Sequence, residues 1–280
     1  LITGNLLAKE GKSVLILEAK EKVGGMYSTL EFHPGFSCNL IHDHFPWIDE
    51  SILKKLKLDS LKMQFKSRDP FYIALDKNSK HLIFSNSLDD TMQSISAHSS
   101  KDADKWPLFM NHIKMLTDFM KPVYFSIPPK IKNITIKDAL ALKGMFNPLK
   151  RHGSRGLIEL LRTTPMMMPE LLDEWFESEL LRGNLSAKGV MHINQGPYSA
   201  ATALNFLHQH IYSKGKIFSS LNFEGGNDAF IKTIHDNAIN NGVTIKLNTK
   251  IKKINCKNDG CVGVTDSAGK EYKGKNFISS

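Results

Sequence analysis

What this 280-residue sequence lacks narrows its chemistry before anything it contains does. It has no G-x-S-x-G, no H-E-x-x-H and no C-x-x-C, so serine-nucleophile, zinc-protease and dithiol-redox signatures are all missing. Three cysteines, Cys38, Cys256 and Cys261, are too few for a disulfide scaffold and point to a reducing compartment. No apolar run approaches the ~20 residues of a membrane span. The formal charge is +9, yet the lysines are scattered and no zinc-finger spacing or RNA-binding aromatic signature accompanies them. Nucleic acid is therefore not expected as a partner. A solvated basic face is the plain explanation, and attraction to an anionic membrane surface is the sharper one.

What is present centres on residues 13–29, S-V-L-I-L-E-A-K-E-K-V-G-G-M-Y-S-T. Residues 13–17 are a short apolar, partly β-branched run of the kind that forms a strand buried on both faces. It closes on Glu18, and a carboxylate at the end of the second strand of a dinucleotide-binding unit accepts hydrogen bonds from ribose hydroxyls. Gly24 and Gly25 follow, letting the backbone approach a phosphate or ring with no Cβ in the way. The plain alternative is an ordinary strand ending in a solvated acid, then a glycine turn. Upstream, Leu1, Ile2, Leu6 and Leu7 have helical spacing and Gly11 reads as the helix end. Helix, turn, strand, Glu is the second half of a Rossmann unit. No strand and no G-x-G-x-x-G precede Leu1, no initiator Met is present, and residues 277–280 read as a strand cut short. The expectation is an internal fragment of a longer protein, on which no targeting peptide can be read.

The segment L-A-K-E-G-K-S-V-L-I-L-E-A-K-E-K-V-G-G-M-Y-S-T resembles the N-terminal signature of the phytoene desaturase-like flavoproteins, the carotenoid desaturase and isomerase branch of the FAD-dependent amine oxidase superfamily. S-S-K-D-A-D-K-W and L-L-D-E-W-F-E-S-E-L-L-R-G-N-L are similar to runs in the same family, in the same order. The resemblance implies FAD, with Glu18 on its ribose and Lys22 near the adenosine half. It further implies that Gly24, Gly25 and Met26 pass the pyrophosphate and flavin edge, and that Ile251 presents its backbone to the adenine.

Elsewhere the chain reads as alternating strands and helices. His42, Asp43, His44 and Trp47 lie in a loop at 39–47 that in the family runs close to the isoalloxazine; a metal site there lacks a third ligand at helical spacing. Asp49 caps a helix to about Leu58. Residues 71–75 and 81–84 read as a hairpin across the turn 76–79, and Asp89 and Asp90 precede a helix. A long helix capped within 100–104 carries Trp106, Phe109, Ile113, Leu116 and Met120 until Pro122 ends it. Residues 128–129 are a loop. Pro165 and Pro169 punctuate, Met166–Met168 read as adaptable core or as a channel wall, and 171–181 reads as one amphipathic helix. After the turn at 195–198 comes a helix at 199–211. Ala200-Ala201-Thr202-Ala203 there replaces the family's Pro-Gly-Thr-Ala, a departure that puts special loop geometry in doubt. His208 and His210 lie two apart and share no helix face. A helix capped by Asn227 or Asp228 ends at Asn241-Gly242; the strands 243–247 and 250–256 and two hairpin turns follow. Cys256 and Cys261 flank the first turn and read as cross-strand neighbours in preference to a redox pair, since cytosolic redox motifs favour C-x-x-C.

The expected architecture is α/β: a Rossmann-like FAD-binding domain, incomplete at both ends, with an inserted α+β substrate domain. Residues 1–62 form the first part of the FAD domain, 63–217 the insertion and 218–280 the second part. The function the resemblance implies is an FAD-dependent oxidoreductase that dehydrogenates or isomerises a hydrophobic isoprenoid-type small molecule by hydride transfer to flavin. No catalytic side chain or metal ligand is assigned. A cytoplasmic, membrane-peripheral location suits such a substrate. The alternative is a non-catalytic binding or scaffold protein that keeps the flavoprotein fold.

Overall fold

The computed structural model describes residues 1–42, 45, 49–78, 80–125, 144, 146–211, 213, 217–218, 221–258 and 260–280. Asp43, His44 and Trp47 of the loop at 39–47, Ser79 of the turn at 76–79, Pro128, Pro129, and Asp259 in the first of the two C-terminal hairpin turns lie outside the described residues. Two compact units emerge: Leu1–Lys66 together with Asn222–Ser280, and Ser67–Leu221.

The first unit begins with α1 (Ile2–Lys9) and β1 (Leu15–Leu17). Gly11, at φ 76°, takes the left-handed turn between them. A single 3-10 turn, Gly25–Tyr27, leads into a hairpin of β2 (Thr29–His33) and β3 (Phe36–Asn39). Its returning strand is not evident in the sequence. The reversal comes from Gly35, at φ 81°, which sets Leu30 opposite Cys38. In α2 (Glu50–Leu56) the expected cap forms: Asp49 Oδ1 accepts the Ser51 N–H at 2.8 Å and the Ile52 N–H at 3.4 Å. β4 (Phe65–Lys66) closes this half.

The second unit opens with the antiparallel pair β5 (Tyr72–Ala74) and β6 (Leu82–Phe84). In α3 (Leu88–Ser96) the cap is Ser87, so Asp89 and Asp90 sit inside the first turn, where their charge complements the helix dipole. α4 (Ser100–Phe125) passes through both Pro107 and Pro122, and Pro122 does not end it. Burial outweighs the two missing N–H donors: Trp106, Phe109, Ile113 and Leu116 are at most 1% exposed. α5 (Phe146–Thr163) is broken at Gly153, whose φ of 69° no helix accommodates.

α6 (Met168–Asp173) and α7 (Glu179–Gly189) replace the single helix expected over 171–181, and Pro169 lies in the first turn of α6. Asp102 on α4 explains the break. Its carboxylate accepts the N–H groups of Glu177 at 2.9 Å and Ser178 at 2.8 Å, taking both donors out of any continuous helix. Ser178 then caps α7 through the Leu181 N–H. α8 (Thr202–His210) follows a left-handed Ala201 at φ 62°, so special loop geometry is present despite the alanine. Thr202 Oγ1 holds it, its one proton lying between the carbonyls of Pro197 and Ser199, each 3.0 Å away, while it accepts the Met168 N–H at 2.9 Å. Leu171, Leu172, Leu181, Leu185, Phe206, Leu207 and Met168 complete one core around Trp106, with Tyr72 stacked on Phe218 at 4.3 Å.

The chain returns to the first unit through β7 (Asn222–Phe223), which pairs antiparallel with β4. α9 (Gly226–Asn240) starts from a left-handed Gly225 with no side-chain cap, and Asn241-Gly242 ends it as expected. β8 (Thr244–Lys246) pairs in parallel with β1, residue for residue from Leu15↔Thr244 to Leu17↔Lys246. That is β1's one strand partner among the described residues, so Leu15 stays 43% exposed and β1 is not buried on both faces. β9 (Ile251–Lys257), β10 (Gly260–Asp266) and β11 (Glu271–Lys273) form an antiparallel meander. Residues 277–280 are not a strand. α1 and α9 are joined by amides centred on the buried Asn5, which donates to Asn237 at 2.7 Å and accepts from Asn241 at 2.6 Å.

Candidate functional site

Glu18 stands directly after β1, where its N–H donates to the Lys246 carbonyl at 2.9 Å. Its own carbonyl accepts the Thr249 N–H at 2.8 Å, so the segment that leads into β9 passes the end of β1. The Glu18 carboxylate accepts the Lys20 N–H at 2.9 Å, which turns the chain sharply after the strand. The first turn of α1 packs on the same strand: a Cβ at Gly4 would meet Ile16 Cδ1 at 2.9 Å. Glu18, the start of α1 and the entry to β9 thus belong to one neighbourhood at the carboxyl end of β1.

Gly24 and Gly25 differ in role. Gly24, at φ 126°, packs against α9, where a Cβ would meet Ile231 at 3.4 Å. Gly25, at φ 54°, faces open space, with nothing within 4 Å of a Cβ position. Met26 beside it is 56% exposed. Lys22 is engaged within the chain, its Nζ donating to the Thr29 carbonyl at 2.6 Å, so it braces the turn.

Several supports of this turn were not legible as such. Asp228 caps nothing; it accepts both the N–H of Thr29, at 3.2 Å, and its hydroxyl. Asn227, the other expected cap, donates to the His42 carbonyl at 2.6 Å. Behind the turn, Tyr27 stacks on His42 and on Phe45, both at 4.8 Å between centroids, and Phe45 meets Phe65 and Phe230 edge-on. Burial raises the Tyr27 pKa. The spacing of those aromatics in sequence carries no period that links them. Among the described residues no cluster of three or more His, Cys, Asp or Glu could hold a metal. In the second unit, His208 Nδ1 lies 2.6 Å from Tyr124 Oη while His210 Nδ1 bonds the Phe206 carbonyl, so the two histidines face different partners.

Against known families, residues 1–279 match the model of the flavin containing amine oxidoreductases. The chain belongs to that family. Members of this family are described as flavin-containing oxidoreductases. A curated relative, pyridine nucleotide-disulfide oxidoreductase domain-containing protein 2 of Rattus norvegicus, is 22% identical over 294 residues, covering 100% of this chain and 51% of the relative. The chain therefore spans about half the length of the curated relatives it matches. Among solved structures, an oxidoreductase from Methanosarcina mazei matches with a TM-score of 0.52 and 13% identity, over 98% of this chain and 54% of that one. A redesigned putrescine oxidase matches with a TM-score of 0.53 and 12% identity, over 97% and 53%. At such identities these neighbours show a shared fold and nothing more.

Proposed function

We propose that this family member is a phytoene desaturase-like oxidoreductase that dehydrogenates or isomerises a hydrophobic, isoprenoid-type small molecule. In this reading residues 1–62 and 218–280 are the Rossmann-like FAD-binding domain and 63–217 the inserted substrate domain. The observation that carries it is the Glu18 carboxylate at the carboxyl end of a parallel strand, with the first turn of α1 packed on that strand and the backbone leading into β9 bonded to Glu18. Ligands of open α/β sheets bind at the carboxyl ends of strands, and helix amino ends favour phosphate.

The residues fit the group. Glu18 would accept the ribose hydroxyls, and Lys22 would lie near the adenosine half. Gly25, whose missing Cβ leaves open space, would let the pyrophosphate pass close to the backbone, with Gly24 and Met26 on either side. Ile251 would offer its backbone to the adenine. The flavin, when bound, supplies the hydride acceptor for a substrate C–H bond. The chain's own part is to bind, orient and exclude water, and no acid, base or nucleophile is assigned. The charge of +9 favours peripheral contact with an anionic membrane surface, where such substrates dissolve.

The test is the visible spectrum of the purified full-length protein. Flavin bands that bleach anaerobically on addition of an isoprenoid substrate are expected. Absence of flavin bands would overturn the cofactor assignment to these residues. Bands that no apolar substrate bleaches would favour a non-catalytic flavoprotein.

A further inference from the structure

We propose that Cys256 and Cys261 form an oxidant-sensitive dithiol, a site for covalent modification by hydroperoxides that closes to an intrachain disulfide. The two cysteines are directly opposed in the antiparallel register of β9 and β10, one pair in from the closing pair Lys257↔Gly260. Opposed residues in such a ladder have Cα atoms about 4.5–5.5 Å apart. A disulfide needs roughly 4.4–6.8 Å. The ladder shifts register just past this pair, where Val262 is passed over and Gly263 opposes Asn255, so the opposed cysteines sit between the turn and a β-bulge.

Access and reactivity are divided between the two. Both thiols are free; Cys256 is exposed and Cys261 half-buried, with its Sγ 3.6 Å from the Gly263 carbonyl. The third cysteine, Cys38, is exposed but stands opposite Leu30 in another sheet. The accessible Cys256 reacts first: its sulfur attacks a peroxide oxygen, the O–O bond breaks, and a sulfenic acid and one water form. The Cys261 thiol then attacks that sulfur, the S–OH bond breaks, and a second water leaves as the S–S bond forms. Two thiols thereby lose two protons and two electrons, and hydrogen peroxide is reduced to two waters. Loop closure over so few residues constrains the unfolded chain little, so the bond is one that cellular thiols can reopen.

Trypsin cuts after Lys257, between the two cysteines, and makes the test direct. The folded protein is treated with hydrogen peroxide, alkylated, and digested without reductant. Peptides 254–257 and 258–270 should migrate as one disulfide-linked species that dithiothreitol separates, while the Cys38 peptide stays unlinked to either. Peroxide treatment in urea should slow the linkage several-fold, because strand pairing sets the approach; an equal rate in urea would overturn the geometric claim. The variant Cys261→Ser should leave Cys256 carrying added oxygen with no linked pair. Wild-type protein in which Cys256 gains oxygen while Cys261 remains alkylated, or in which Cys256 joins Cys38 or another molecule, would refute the proposal.

Discussion

Replacing Asp102 with alanine should destabilise the second unit by about 3 kcal/mol, because one buried carboxylate ends one helix and starts another. Asp102 is 1% exposed and accepts the N–H groups of Glu177 at 2.9 Å and Ser178 at 2.8 Å. Hydrogen bonds to a charged group are worth roughly 1.5–3 kcal/mol each, and both donors are only part-buried, so the lower end of the doubled range applies. Asp102→Asn separates the contributions: the amide keeps one acceptor and turns a donor toward the other N–H, so roughly half the stabilisation should survive. Urea unfolding followed by the emission of Trp106 and Trp175 reads this directly, since Trp106 and Phe176 lie 6.1 Å apart next to the break. Midpoints should fall in the order wild type, Asn, Ala. An alanine variant within about 0.5 kcal/mol of wild type would refute the role of Asp102. So would an asparagine variant as unstable as alanine.

Acid should weaken the second unit through His210. Burial lowers its pKa from the usual 6.5 to about 4, so the folded protein holds the ring neutral while the unfolded chain takes a proton. The stability this contributes is whole above pH 6.5 and falls by roughly 3 kcal/mol as pH drops to 4, and His210→Leu should flatten that slope in pH-dependent unfolding; an unchanged slope would count against it. Gly189→Ala should cost about 1–3 kcal/mol, because its Cβ would run into the Met168 side chain, with Sδ at 2.7 Å, and come within 3.1 Å of the Thr202 carbonyl oxygen. A thermal midpoint equal to wild type would show that Met168 has room to move.

Much of the local structure is legible because its causes are local. Asp49 caps α2 through its own next three residues, and the alternation around Cys256 and Cys261 with a turn between them specifies the β9–β10 hairpin. What resists reading is set from far away in sequence. No period in 171–181 reveals that Asp102, some 75 residues earlier, will claim two of its N–H groups. Asn227 and Asp228 look like helix caps by position, yet Asp228 is drawn off to Thr29 and Asn227 to His42, and Gly225 starts the helix instead. β1 reads as a fully buried strand from its apolar side chains, but burial depends on how many strands flank it, which those residues do not encode. At the candidate site, Glu18 at the end of its strand and the paired glycines are legible. The brace from Lys22 to Thr29 and the Tyr27–His42–Phe45 stack are not, since both need the tertiary fold.

The most direct test of the central claim is the dissociation constant of FAD for the full-length protein, measured by flavin fluorescence for wild type and for Glu18→Ala. Loss of the carboxylate's hydrogen bonds to ribose should weaken binding by roughly 2–3 kcal/mol, or about 30- to 150-fold. Affinity within about twofold of wild type would mean that Glu18 does not hold the cofactor.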